Sequence, residues 1–446
     1  MGRFPTVQTS VSLILALILG IGLVGCGGGG GGSSRSADLS AVKITTGSRS
    51  IQLNNYNNWI APKRWGDRAE YDRQVEFLVQ TDRICMTEAY AYALGLTPAE
   101  LRARNPKAKV FALYDLYCKN KWDSDWEGDN SASVLQTPLT LEEIEQNNWW
   151  LRDGNGSIVQ ENDYTWFLDV GKPGYKEAFL RNLLQRIEGK GYDGVLFDYN
   201  LPCTITRWIL DREDGLALTA PAAYPDDDAW FENAWKPFYS YVMGGLHAAG
   251  YEVIGNCAGP YDPYAYRGLP EIGLDWQRTQ VDGTVYESWA IWWDGTWLDG
   301  STVEARINSL ASDPLEVWTG DYAIRTTDPE YQQKANVALA MFYIGLPQSP
   351  ALQAKRFYHH FKDRTLFWEP SWNVYIGTPA ETPVKRQGEY FWSRKFTNGI
   401  VLLNYGSSET LRYTLDRPYC DAEGGVRSGE IAVPEHTGLV LTLDGT

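Results

Sequence analysis

From Ser50 onward, short apolar or alternating runs take turns with stretches whose apolar positions recur every three to four residues. The first pattern suits strands and the second amphipathic helices. Ile51–Tyr56, Arg83–Met86 and Lys109–Tyr117 read as strands, and Ala69–Gln80 as a helix. Thr97–Asn105 reads as a short helix with Thr97 as N-cap and Pro98 in its first turn. Thr165–Val170 reads as a strand and Pro173–Lys190 as a helix with apolar residues at 179, 180, 183, 184 and 187. Gly191 ends that helix, and Asp193–Asn200 is the next strand. Such a βαβ unit requires parallel strands and a right-handed crossover. The rhythm continues with a helix at 229–249, a strand at Glu252–Gly255, a strand at Val281–Glu287, a helix at 302–311, a strand at Leu315–Thr319 and a helix at 328–344. Strands starting near 51, 83, 109, 165, 193, 252, 281 and 315 make eight, which predicts an α/β fold of the (β/α)8 TIM-barrel type.

After about residue 385 the period changes to two. Tyr390–Phe396, Gly399–Asn404, Leu411–Leu415 and Gly438–Leu443 predict short strands, hence a small C-terminal antiparallel β-sandwich domain. Its strands hold no cluster of acids, so no catalytic role is expected of it. Residues 120–148 are polar and irregular, as a long active-site loop would be.

The N-terminus follows different rules. Val11–Gly25 is apolar but too short for a span, which needs ~20 residues; it suits the h-region of a signal peptide. The run closes on Leu23-Val24-Gly25-Cys26, which resembles a bacterial lipobox. Gly27–Gly32 and the serines after it have nothing to bury and predict a flexible tether. The expected organisation is a lipoprotein signal peptide at 1–25, lipidated Cys26 with its tether at 26–48, the barrel at 49–384 and the β-domain at 385–446. This makes the protein exported and lipid-anchored to the cell envelope, with no other membrane contact.

Composition narrows the partners. The 446 residues carry 40 basic and 56 acidic side chains, a formal net charge of −16, which argues against nucleic acid as a ligand. Only four His occur, and the six Cys (26, 85, 118, 203, 257 and 420) show no metal-ligand spacing, so no metal and no cofactor is expected. Trp (19) and Tyr (27) are frequent, and their flat faces suit sugar rings.

In a barrel, chemistry sits at the C-terminal ends of the strands. Asp169, Asp198, Asn256, Glu287 and Asp321 are placed there by the predicted strands, and Asp115 can join them. Any one of these can equally be a strand-end carboxylate that caps a helix or pairs with an arginine. Their convergence on one rim points to glycosidic-bond hydrolysis, which needs two carboxyl groups. Glu287 stands among Tyr286, Trp289, Trp292 and Trp293, an apolar setting that favours a protonated acid; Asp198 has Tyr199 and Asn200 beside it. Glu287 is therefore read as acid/base and Asp198 as nucleophile or base, with the reverse assignment open. Asp169, Asn200, Asn256, Trp289, Asp321 and Tyr322 are read as substrate-binding. Trp59, Trp292, Trp293, Trp318 and Trp372 are further candidate sugar platforms. Asp193, at the start of its strand, is read as structural.

The segments WLRDGNGSIVQ, TWFLDVGKPGYKEAFL, KGYDGVLFDYN and VDGTVYESW resemble hypothetical glycosyl hydrolase-like families with TIM barrels. These are distantly similar to endo-α-1,4-polygalactosaminidases and the α-amylase superfamily. The resemblance covers roughly residues 50–350, and NGIVLLNYGSS looks like the β-domain that often follows such barrels. It implies a carbohydrate substrate, a catalytic strand end at Asp198 and a second carboxylate at Glu287. Two further readings stand beside it: a catalytically inactive barrel that binds glycan at the cell surface, and a metal-dependent hydrolase, which the lack of His ligands disfavours.

Overall fold

The computed structural model describes residues 54–55, 75–87, 91, 96–120, 137–160, 165–198, 200, 221, 223–256, 274–292, 295–321, 328–348, 355–357, 370–406 and 410–443. The predicted signal peptide, Cys26 and the tether lie outside them, as do Trp59, Tyr199, Trp293 and Tyr322.

Eight parallel strands form the main sheet: β1 (Asn54–Asn55), β2 (Arg83–Met86), β3 (Lys109–Asp115), β6 (Gly194–Asp198), β7 (Glu252–Asn256), β8 (Gly283–Tyr286), β9 (Glu316–Thr319) and β10 (Lys355–Arg356), in that spatial order. Helices alternate with them. α1 (Pro98–Arg104) is opened by a reciprocal cap between Thr97 and Glu100. α2 (Leu141–Gln146) is opened likewise by Thr140 and Glu143. α3 (Tyr175–Ile187) precedes β6, and α4 (Asp227–Trp230) runs through a π-helical turn, Phe231–Trp235, into α5 (Lys236–Ala248). α6 (Leu274–Arg278), α7 (Gly300–Ser312) and α8 (Tyr331–Gly345) follow. Among the described residues no helix is long and apolar enough to cross a membrane.

One expected strand assignment is corrected, and one strand of the main sheet was not expected. β5 (Thr165–Phe167) does not enter the main sheet; it pairs antiparallel with β4 (Cys118–Asn120). Further antiparallel bridges join Trp150 to Leu168, Arg152 to Ile158 and Gln160 to Trp166. Among the described residues, the segment between β3 and β6 thus holds α2, an antiparallel excursion and α3, and β3 pairs directly with β6. The eighth strand is instead Lys355–Arg356. Two charged residues carry no apolar pattern, so periodicity could not reveal them. They can be buried because Lys355 Nζ donates to the carbonyls of Asp313 and Leu315, and because Arg356 lies 3.6 Å from the Glu316 carboxylate.

The sheet is strongly curled. Arg83 on β2 donates to both carboxylate oxygens of Glu316 on β9, at 2.8 and 3.0 Å, although four strands separate them in the sheet order. Burial raises the Glu316 pKa, but Arg356 and Arg83 outweigh it and hold the carboxyl below the usual carboxylate range. Above this charged layer, Cys85, Phe111, Leu113, Leu196, Ile254, Val285 and Trp318 pack as one apolar cluster contributed by six strands. Glycine makes room for them: a Cβ on Gly194 would come within 2.6 Å of the Phe111 ring, and one on Gly283 within 2.6 Å of Ile254.

The C-terminal antiparallel sheet is present. β11 (Val384–Lys385), β12 (Phe391–Phe396), β13 (Gly399–Asn404), β18 (Thr437–Thr442), β15 (Tyr419–Cys420) and β16 (Val426–Arg427) lie side by side in that order. A second, two-stranded sheet pairs β14 (Leu411–Thr414) with β17 (Glu430–Val433). Phe391, Ile400, Leu402, Leu411, Tyr419, Val433 and Leu441 fill the space between the two. The larger sheet sits on α8. Arg394, 1 % exposed, donates to the carbonyls of Tyr343, Ile344 and Leu346 at the C-terminal end of α8, where no further helical turn supplies amides.

Candidate active site

Side chains alternate along a strand, so the inward cluster fixes which residues face inward one step higher. On β6, Leu196 faces in, hence Asp198; on β7, Ile254 and Asn256; on β3, Leu113 and Asp115; past β8, Val285 and Glu287. Asp115 and Asp198 are register partners on neighbouring strands. Four polar residues thus form one layer at the C-terminal rim, with Asp115 (3 % exposed), Asn256 (1 %) and Glu287 (5 %) buried and Asp198 half-buried.

Asn256 is the hub. Its Nδ2 donates to Asp198 Oδ1 at 2.8 Å and to Glu287 Oε1 at 2.5 Å. The sum of the two, 5.3 Å, is the largest separation these carboxylate oxygens can have. Asn256, expected as a substrate-binding residue, thus bridges the two acids through one amide nitrogen. Among the described residues no cluster of His, Cys, Asp or Glu could hold a metal ion.

The loop behind each acid is braced. After β6, Gln277 of α6 donates to the Asn200 carbonyl at 2.6 Å and accepts from the Trp235 indole at 3.1 Å. The π-helical turn that ends on Trp235 carries this indole; such insertions recur at functional sites. After Glu287, Ser288 takes the left-handed backbone conformation (φ 51°), disfavoured for an L-residue. The next amides, of Ala290 and Ile291, donate to Asp321 Oδ1 at 2.8 and 3.1 Å. Arg306 donates to the Trp289 carbonyl.

The other expected site residues are placed elsewhere. Asp321 is one residue past the inward position, because Trp318 faces in and Gly320 follows it in phase; it is fully buried beneath the 288–291 loop. Its carboxyl is pushed up to about 6 by burial, against the two amides and Arg306. Asp169 lies two residues past β5, outside the main sheet, where Oδ1 accepts from Tyr224 at 2.7 Å and from the Gly171 amide. Burial raises its pKa too. Asn200 is fully buried, its amide beside the Tyr239 hydroxyl of α5. Trp289 is a core residue with no exposed face, its indole N–H donating to Ala338 of α8. Trp318 and Trp372 are buried as well, which leaves Trp292, half-buried with Arg306 5.7 Å from its ring, as the described aromatic beside the Glu287 loop. Asp193 is structural as expected: it accepts from Arg102 and from the Val110 amide. Gln277, Trp235 and Arg306 had no signal in the sequence, because each acts through residues far away in the chain.

No curated protein matches the chain. Solved structures similar to it include a variant of the glycoside hydrolase domain of PelA from Pseudomonas aeruginosa, at 15 % identity and TM-score 0.36, covering 69 % of this chain and 99 % of that one. Maltogenic α-amylase AmyB from Thermotoga neapolitana is similar at 10 % identity and TM-score 0.44, covering 88 % and 98 %. The family 36 α-galactosidase AgaA from Geobacillus stearothermophilus is similar at 10 % identity and TM-score 0.43, covering 89 % and 56 %. The model of hypothetical glycosyl hydrolase family 15 matches residues 102–400, more than half of the chain. That span holds Asp115, Asp198, Asn256 and Glu287 together, and the chain belongs to this family.

Proposed function

We propose that the protein is a retaining glycoside hydrolase with Asp198 and Glu287 as its reacting carboxylates. The observation that carries this is the single Asn256 amide that spans both acids and keeps one oxygen of each within 5.3 Å of the other. The 5.3 Å bounds one oxygen pair from above, and a pair held that close favours the short carboxyl spacing of a covalent glycosyl-enzyme, ~5–5.5 Å, over the ~6.5–9.5 Å that leaves room for the water of an inverting route. Glu287 is the more buried, and burial suits the group that carries the proton. It protonates the departing glycosidic oxygen as Asp198 attacks the anomeric carbon. In the second half, Glu287 takes a proton from water, the water oxygen bonds to the anomeric carbon, and Asp198 leaves. Asn256 donates to both carboxylates and supports their charged forms as the proton moves.

The substrate in this reading is a neutral or cationic extracellular poly- or oligosaccharide, and Trp292 is a candidate platform for a ring beside the bond. The curled sheet is read as a closed barrel spanning 49–384 with the β-domain at 385–446, a reading supported by the Arg83–Glu316 contact across its interior. Export and anchoring through Cys26 belong to the same proposal.

The test is a panel of bacterial and plant polysaccharides with reducing-end release as readout, followed by NMR of the first-formed anomer. Retention of configuration is expected. First-formed inverted product would overturn the covalent route; binding without turnover across the panel would favour a glycan-binding barrel.

A further inference from the structure

β8 ends on Tyr286, Glu287 follows, and Ser288 is in the left-handed conformation. A carboxylate carried on such a turn keeps its place only if the backbone after it is held. Most of that holding comes from the main sheet and its helices. The Trp289 amide donates to Gly320, the Ala290 and Ile291 amides donate to Asp321, and the Trp289 carbonyl accepts from Arg306. The Ala290 carbonyl is different: it accepts from the Tyr405 hydroxyl at 2.6 Å. The same phenol oxygen accepts the Leu298 amide at 2.8 Å. One oxygen therefore pins both ends of the 290–298 loop, and it belongs to a residue one position past β13 of the C-terminal sheet. Tyr405 is fully buried. The loop's Trp297 stands edge-on to it, with centroids 5.9 Å apart, and stacks on His436, just before β18, at 4.2 Å. The C-terminal sheet thus holds the loop at two points.

We infer that Tyr405 is a positioning residue for Glu287, and that the C-terminal sheet takes part in catalysis through it; this rests on Glu287 being a reacting carboxylate. Substituting Tyr405→Phe removes one hydroxyl and little volume, and leaves the Ala290 carbonyl and the Leu298 amide buried without their partner. The control is Arg394→Lys, which loosens the same sheet on α8 without touching the loop.

The test uses the full chain and has two arms. Amide hydrogen exchange by mass spectrometry over 286–298 should quicken roughly tenfold in Tyr405→Phe, since a lost buried hydrogen bond shifts local opening by about that factor. Arg394→Lys should leave that peptide unchanged while lowering Tm. On any polysaccharide the wild type cleaves, kcat should fall roughly tenfold in Tyr405→Phe with KM within about twofold, the mark of a reacting group misplaced rather than substrate lost. Unchanged exchange over 286–298 overturns the inference. So does quickened exchange with unchanged kcat, or an equal kcat loss in Arg394→Lys. If the wild type cleaves nothing, the glycosidase reading falls by itself. The exchange arm then still decides whether Tyr405 sets this loop.

Discussion

Asp321 gives the sharpest quantitative expectation. Its carboxyl is fully buried, its Oδ1 accepts two amides of the Glu287 loop, and burial pushes its pKa up to about 6. An unfolded Asp titrates near 3.8. The native state therefore binds the proton more tightly, and stability falls as pH rises through the window between these two values. Above the window the full difference applies, ~3 kcal/mol at 1.36 kcal/mol per unit. Between about pH 4 and pH 7.5 the loss amounts to roughly 2 kcal/mol, because the unfolded carboxyl is already partly ionised at the lower value. Asp321→Asn keeps an oxygen for the two amides and cannot ionise, so this part of the pH dependence should vanish. The assay is urea unfolding of wild type and Asp321→Asn at both pH values. The wild-type-minus-variant difference cancels all other titrating groups. That difference should move by roughly 2 kcal/mol, with the variant relatively more stable at the higher pH. Parallel pH profiles would refute the reasoning, for they would mean that Asp321 keeps an ordinary pKa and is not held dry beneath the loop.

Three other outcomes follow from the site. Asp198→Asn and Glu287→Gln should each cut turnover at least ~10²-fold with Tm within a few degrees, since each removes only charge and proton transfer; near-wild-type turnover in either would remove that residue from the pair. Asn256→Ala withdraws a donor from both carboxylates and should lower kcat by roughly 10–100-fold, from hydrogen bonds worth ~1.5–3 kcal/mol each to charged groups; a change under twofold would show that the bridge is idle. Cys26→Ser should move the protein from the membrane fraction to the soluble one on fractionation, and a variant that still sediments would point to another anchor.

How far the sequence could be read depended on the range of the forces involved. Strands buried on both faces announce themselves as apolar runs, so β3, β6, β7, β8 and β9 were legible. Thr165–Phe167 was legible as a strand but not as an outsider, because pairing partners are set by tertiary contacts and both sheets use the same alternation. Lys355–Arg356 was illegible for the opposite reason: burial there rests on carbonyls and a carboxylate supplied by other strands. The rim shows the same limit. Asp198, Asn256 and Glu287 fell together because each continues an inward alternation. Asp321 looked equivalent from its place after a strand, yet counting two from Trp318 lands on Gly320, and the odd residue points away.

In the proposed mechanism the two reacting positions are supported unequally, and that bears on how such a site keeps its geometry. Behind Asp198, a π-helical turn delivers one indole to Gln277, which grips the Asn200 carbonyl, so the bracing comes from helices that cover the sheet. Behind Glu287, the chain enters a disfavoured backbone conformation and is then held by Asp321, Arg306 and Tyr405, drawn from a strand end, a helix and the C-terminal sheet. A left-handed L-residue costs ~1–2 kcal/mol and persists only where its surroundings over-determine it. The heavier support therefore falls where the backbone alone would not stay. An acid/base group must serve two half-reactions from one pose, protonating an oxygen and then deprotonating water, whereas a nucleophile moves onto the sugar. Rigid holding is worth most on the Glu287 side. The expectation that the C-terminal sheet takes no part in catalysis counted acids alone; the inference drawn for Tyr405 sets against it a phenol oxygen fixed between Ala290 and Leu298, and the Tyr405→Phe variant decides between the two.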